Sequence, residues 1–92
     1  MSIIAIEYTY DATKRDLIAE HRPRHRAHLK ELFEAGTLLA SGPLGSNGAL
    51  LIVTGETPDD GLKALAGDPF LALGVIENRV ARVWNAVIGP WG

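Results

Sequence analysis

His25 is the side chain in this sequence best suited to moving a proton, and it sits within Arg22-Pro23-Arg24-His25-Arg26-Ala27-His28-Leu29. At about 100° per residue on a helix, it points within about 20° of Leu32 and about 40° of Leu29. An imidazole at the edge of an apolar stripe is either a core-edge polar group bonded to a main-chain carbonyl or the working group of a pocket. We read it as the second. Pro23 suits the first turn of a helix, and a helix N-terminus disfavours imidazolium, so the expectation is an imidazole ready to accept a proton.

Asp68 is the candidate partner. Asp before Pro at a helix start is a common N-cap, and the two roles are compatible. One carboxylate oxygen can bond the helix N–H while the other orients His25 Nδ1 and fixes its tautomer. Ser41-Gly42-Pro43 closes a strand; Ser41 can offer a hydroxyl or N–H to a bound oxygen, and Gly42 permits close approach. Arg22, at the expected helix start, can reach a carboxylate. His21 and His25, four apart, would be a metal pair on an unbroken helix, but Pro23 lies between them and no third ligand occurs at motif spacing, so no metal is expected. His28 falls at the margin of the stripe. No Gly-x-Ser-x-Gly elbow and no phosphate loop is present.

Several function classes are closed by composition. The chain has 92 residues, no cysteine and a formal charge of −2, which leaves no disulfide, thiolate zinc site or cysteine nucleophile and no basic field for nucleic acid. Ile3-Ile4-Ala5-Ile6 is interrupted by Glu7 and is too short for a signal peptide or membrane span. The expectation is a single domain over 1–92 in a soluble cytoplasmic protein.

The elements that must position these residues can be read from periodicity. Residues 2–10 alternate as a strand, Ile4, Ile6, Tyr8 and Tyr10 on one face, and Asp11 or Thr13 can cap a helix after it. Residues 14–21 suggest a short helical piece that breaks near 22. A main helix over 23–35 then buries Leu29, Leu32 and Phe33 and ends at a left-handed Gly36. Residues 37–41 and 49–54 read as strands joined by a hairpin through Gly45-Ser46-Asn47-Gly48. Thr57 caps a helix with Pro58 at its first position, running to Gly67. Asp68-Pro69-Phe70 opens a shorter helix to Gly74, 77–87 is the last strand, and 89–92 is a tail. Strand, helix, strand, strand, helix, strand is the split β-α-β pattern: an α+β, ferredoxin-like βαββαβ fold with a four-stranded antiparallel sheet and helices on one face. The other face would carry either Ile4, Ile6 and Tyr8 or their opposite neighbours, and a face-to-face homodimer would cover it.

Three blocks of this sequence also resemble a known family: Arg22-Pro23-x-His25-x-x-x-Leu29, Gly36-Thr37-Leu38-Leu39-Ala40-Ser41-Gly42-Pro43 and Asp68-Pro69-Phe70-x-x-x-Gly74. In this order, over nearly the whole chain, they resemble the YCII-related domain family. The resemblance implies a ferredoxin-like fold that dimerises as an α+β barrel. It also implies an active site on a histidine and an aspartate, here His25 and Asp68, with Ser41 beside them. One branch of the family looks like dehydrochlorinases of chlorinated hydroxyquinols, and muconolactone isomerases share the wider fold. Here His28 and the arginines change the polarity around the motif, and the brief 44–48 turn leaves room for only a small lid.

The leading expectation is therefore a cofactor-independent, lyase- or isomerase-like enzyme acting on a cyclic or carbonyl-bearing small molecule. His25 would be its acid–base, Asp68 would orient His25, and Ser41, Arg22 and Gly42 would hold the substrate. The alternatives are a non-catalytic small-ligand binding or accessory module and a purely structural dimerisation domain. Catalysis needs His25 and Asp68 in hydrogen-bond reach at an open cleft, whereas a binding module needs only the cavity. A structural domain would seal His25 against a main-chain carbonyl.

Overall fold

A computed structural model describes residues 2–91; Met1 and Gly92, the last residue of the expected tail, lie outside it. The strands are β1 (Ile3–Tyr10), β2 (Leu38–Pro43), β3 (Gly48–Thr54) and β4 (Ile76–Trp84). The helices are α1 (Arg15–Glu34), α2 (Pro58–Ala64) and α3 (Pro69–Ala72), with a 3-10 turn over Ala12–Lys14 before α1. The sheet is antiparallel throughout in the order β2-β3-β1-β4, so the fold is the α+β, ferredoxin-like βαββαβ arrangement. Each β-α-β unit leaves a gap of one strand, and the other unit fills it.

Alternation along β1 decides where the core sits. Ile4, Ile6 and Tyr8 are at most 2% exposed and pack with Leu51 and Val53 of β3, Leu29 of α1, and Leu65. These β1 residues therefore face the helices, which settles which face lies bare. Their neighbours Ala5, Glu7 and Thr9 point to the helix-free face. There Glu7 pairs with Arg82 at 3.2 Å, and Val80 and Trp84 stay substantially exposed. That face is not wholly open, since Ile3 and Ile52 are buried. Ile3 lies opposite Trp84, whose ring meets that of Trp91 at 6.2 Å.

The expected break near residue 22 does not occur. α1 runs unbroken through Pro23. Pro23 lies on the exposed side, where water can take up the carbonyl it frees, while Ile18, His25 and Leu29 hold the opposite side against the rest of the fold. His25 is therefore mid-helix, and the dipole of the N-terminus has no hold on it, since that field fades within a turn. Phe33, expected in the core, is 59% exposed. Ile18, His25 and Leu29 fall within about 40° of one another around the helix, whereas Phe33 lies about 80° from His25, at the margin of that stripe. α1 does end as the sequence suggests, at Gly36 with φ +81.

Smaller shifts obey the same logic. β2 continues through Gly42 and Pro43 because it is an edge strand, where a missing N–H costs no ladder bond. Gly48, which closes the hairpin, could not be another residue without movement, since a Cβ there would lie 2.6 Å from the Tyr8 carbonyl oxygen. α2 starts as expected with Thr57 and Asp60 forming a reciprocal capping box, but stops at Ala64 rather than Gly67. β4 ends at Trp84 rather than 87.

Candidate active site

Asp68 N-caps α3, accepting from Phe70 N–H at 3.0 Å. Pro69 at the first helical position has no N–H to satisfy, which leaves Phe70 N–H as the donor the carboxylate meets. The same oxygen, Oδ1, accepts from His25 Nδ1–H at 2.8 Å, across 43 residues of sequence. The other oxygen, Oδ2, accepts from the Tyr8 hydroxyl at 3.2 Å. The expected division of labour, one oxygen for the cap and one for the imidazole, is thus redrawn: cap and imidazole share Oδ1, and a tyrosine takes Oδ2.

Both members of the pair are withdrawn from solvent, His25 at 6% and Asp68 at 1% exposure. Phe70 closes one face of the imidazole, with ring centroids 4.0 Å apart and planes inclined by 6°. Tyr10 meets Phe70 edge-on at 5.7 Å, so the aromatic wall is itself braced. Hydrogen bond and stack together fix the imidazole in position and plane. With Nδ1 holding its proton toward Asp68, the free lone pair lies on Nε2. Nε2 has no partner among the described residues and is not among the buried unpaired atoms, so it opens on solvent.

It opens into a cavity of about 440 Å³, a size suited to a small organic molecule. The α1 side contributes His25, Arg22 and Arg26, and the facing wall is the strand end Ser41-Gly42-Pro43. A Cβ at Gly42 would meet nothing within 4 Å, so the wall stands back from its neighbours there. The tertiary fold therefore puts Arg22, His25, Ser41 and Gly42 around one space, with Asp68 behind the imidazole. His21 is turned away, its Nδ1 3.2 Å from Arg24 Nη1. The described residues contain no group of three or more His, Cys, Asp or Glu able to hold a metal ion. His28 packs near Gly67 with its Nε2 buried and unpaired, away from the cavity lining.

Tyr8, Tyr10, Arg26 and Phe70 also belong to this site, and sequence reasoning missed them. Tyr8 carried a usable signal: it shares the strand face of Ile4 and Ile6, so its hydroxyl had to find a buried partner. Burial pushes the Tyr8 phenol well above its ordinary range, and the Asp68 charge and hydrogen bond push the same way. Burial, with the Asp68 charge, pushes the Tyr10 phenol up to about 12, against a smaller opposing effect from Arg22. Both hydroxyls are therefore donors at neutral pH.

The YCII-related domain family matches residues 1–85. The chain belongs to that family. No curated protein sequence matches the chain. Among solved structures, this YCII-related domain is similar to the 5-chloro-2-hydroxyhydroquinone dehydrochlorinase TftG from Burkholderia phenoliruptrix, in complex with 2,5-dihydroxybenzoquinone. The TM-score is 0.76 at 20% identity, covering 90% of this chain and 93% of that one. It is also similar to an antibiotic biosynthesis monooxygenase, with TM-score 0.61 at 11% identity over 96% of this chain and 100% of the other. A NIPSNAP family protein from Agrobacterium tumefaciens aligns with TM-score 0.57 at 17% identity, over 98% of each chain. At these identities the likeness is one of fold. No helix among the described residues is long and apolar enough to cross a membrane.

Proposed function

We propose that this YCII-related protein is a small-molecule enzyme working by acid–base chemistry at His25, and that its reaction is an elimination or isomerisation of a cyclic or carbonyl-bearing substrate. The observation that carries this reading is the 2.8 Å bond between buried His25 Nδ1 and Asp68 Oδ1, combined with an unbonded Nε2 at a cavity. A merely structural histidine would be sealed against a main-chain carbonyl. The fold it shares with a dehydrochlorinase supports the same reading.

In this scheme Nε2 takes a proton from a carbon or hydroxyl conjugated with a substrate carbonyl. The electron pair left behind moves toward the oxygen, where Ser41 and Arg22 donate hydrogen bonds. Asp68 steadies the imidazolium as it forms. In an elimination, a leaving group such as chloride departs with its bonding pair and His25 passes the proton to water, a net loss of HCl without redox change. In an isomerisation, His25 returns the proton to a different atom. A positioned acid–base is worth about 10²–10⁴-fold in rate. The 92 residues act as one domain, and two copies pair through the helix-free sheet face, where Val80 and Trp84 are exposed at 39% and 43%.

The test is chloride release from 5-chloro-2-hydroxyhydroquinone, with isomerisation of related cyclic enones monitored in parallel. The expected result is turnover by the native protein and a loss of about 10²–10⁴-fold in His25→Ala, with an unchanged circular dichroism spectrum. Full activity in that variant would remove His25 from the chemistry. Binding without turnover of any of these compounds would favour a ligand-binding module instead.

A further inference from the structure

The charges around the cavity are one-sided. Arg22 and Arg26 both line it, one helical turn apart on α1, which puts their Cβ atoms about 5–6 Å from each other. Neither makes a hydrogen bond or ion pair to a carboxylate among the described residues; the arginine–carboxylate pair there joins Arg82 to Glu7 on the sheet. The chain carries more acids than bases, 11 Asp and Glu against 9 Lys and Arg. Even so, no acidic side chain among the described residues lines this cavity. Asp68, which lies behind the imidazole, is 1% exposed, and its two oxygens accept three protein hydrogen bonds.

The rest of the lining adds donors. Ser41 and Ser46 line the opposite wall, and Tyr10, close enough to Arg22 to feel its charge, stays protonated up to about 12. Two exposed arginines with no carboxylate partner among the described residues, facing hydroxyl-bearing residues across one cavity, are chemistry suited to an anion. Guanidinium pairs planar oxyanions through paired N–H groups, which an ammonium cannot do.

We infer that the ligand of this cavity is a small organic anion, a single ring bearing a carboxylate or an ionised enol or phenol, held between Arg22 and Arg26 beside His25 Nε2. This rests on the reading of the cavity as the substrate site and adds to it the substrate's charge, with Arg26 as a second specificity residue. Chemically, the same two cations would stabilise the enolate left when His25 removes a neighbouring proton. The volume of about 440 Å³ suits one substituted ring.

Titration calorimetry with three probes tests it: benzoate, its neutral amide benzamide, and 4-nitrophenol above and below its own ionisation. Benzoate, ionised nitrophenol or both should bind at least about tenfold more tightly than their neutral counterparts. Which anion binds better tells carboxylate from phenolate recognition. Arg22→Gln and Arg26→Gln should each weaken the preferred anion by about 10- to 100-fold, as expected on losing a charge-assisted bond, and added salt should weaken it further. Equal affinity for benzoate and benzamide and for both forms of nitrophenol, no binding of any probe, or unchanged anion affinity in either arginine variant would overturn the proposal. His25→Asn keeps the two readings apart. Anion binding that survives in that variant while turnover is lost supports both. Selective anion binding combined with undiminished turnover in His25→Asn would leave the anion site standing and remove the acid–base role.

Discussion

Replacing Asp68 gives the sharpest test of how the site is held together. In Asp68→Ala the N-cap of α3 disappears, at about 1 kcal/mol. Two donors lose their acceptor at buried positions, the Tyr8 hydroxyl and His25 Nδ1–H, at about 1–3 kcal/mol each. Together these reach about 3–7 kcal/mol, against about 5–14 kcal/mol of stability expected for a chain of this length. Asp68→Ala should therefore lose about half of its stability. Asp68→Asn is more informative. Phe70 N–H and His25 Nδ1–H are both donors aimed at Oδ1, so the amide oxygen must occupy that position, and the imidazole keeps its tautomer. The amide N–H₂ then faces the Tyr8 oxygen, and the tyrosine's own proton is left without an acceptor. That costs about 1–3 kcal/mol, partly offset because a buried charge has been removed. Thermal and urea unfolding monitored by circular dichroism would show Asp68→Asn melting lower by about 4–8 °C for each kcal/mol. A double-mutant cycle with Tyr8→Phe should return a Tyr8–Asp68 coupling of at least about 0.5 kcal/mol. If Asp68→Ala lost less than about 1 kcal/mol, the carboxylate would not be the keystone described here.

Tyr8→Phe alone should lose about 1 kcal/mol of stability and lower kcat with little change in KM, because Tyr8 steadies Asp68 without lining the cavity; a change confined to KM would contradict that. Pro23→Ala should raise stability by about 1–3 kcal/mol, since Pro23 occupies an exposed position inside α1 where its ring and missing N–H are a liability, and an unfolding curve that does not move would mean α1 bends to absorb it. Phenolate absorbance should show Tyr10 titrating near 12 and Tyr8 higher still, both above the ordinary 10.0. Because their folded-state values are raised, the stability they contribute is intact below 10.0 and is lost as pH rises through the folded values, so alkaline unfolding should set in across that window and be reduced in Tyr10→Phe.

Much of the molecule is written locally. Period-2 alternation marks β1 and β4, Thr57-Pro58 and Asp68-Pro69 mark helix starts, Gly36 marks a helix end, and their order is enough for the βαββαβ fold. These signals depend on a residue and its near neighbours, so sequence carries them. His25 and Asp68 were also legible as candidates, by residue type and by family resemblance. What tertiary structure alone decided is where the helix meets the sheet and what meets there. Pro23 signals a break, yet burial of Ile18, His25 and Leu29 outweighs it, and the helix runs through. That continuity moves His25 from a helix end to a helix middle, beyond reach of the N-terminal dipole expected to disfavour its imidazolium, and leaves Asp68 as the group that fixes it. The Oδ1 bond across 43 residues, the Tyr8 hydroxyl on Oδ2, the Phe70 ring on the imidazole and the pairing of Arg22 with Arg26 at one acid-free cavity are all long-range. No local pattern encodes them, because they arise only when the sheet brings α1, β1, β2 and the start of α3 to the same point in space.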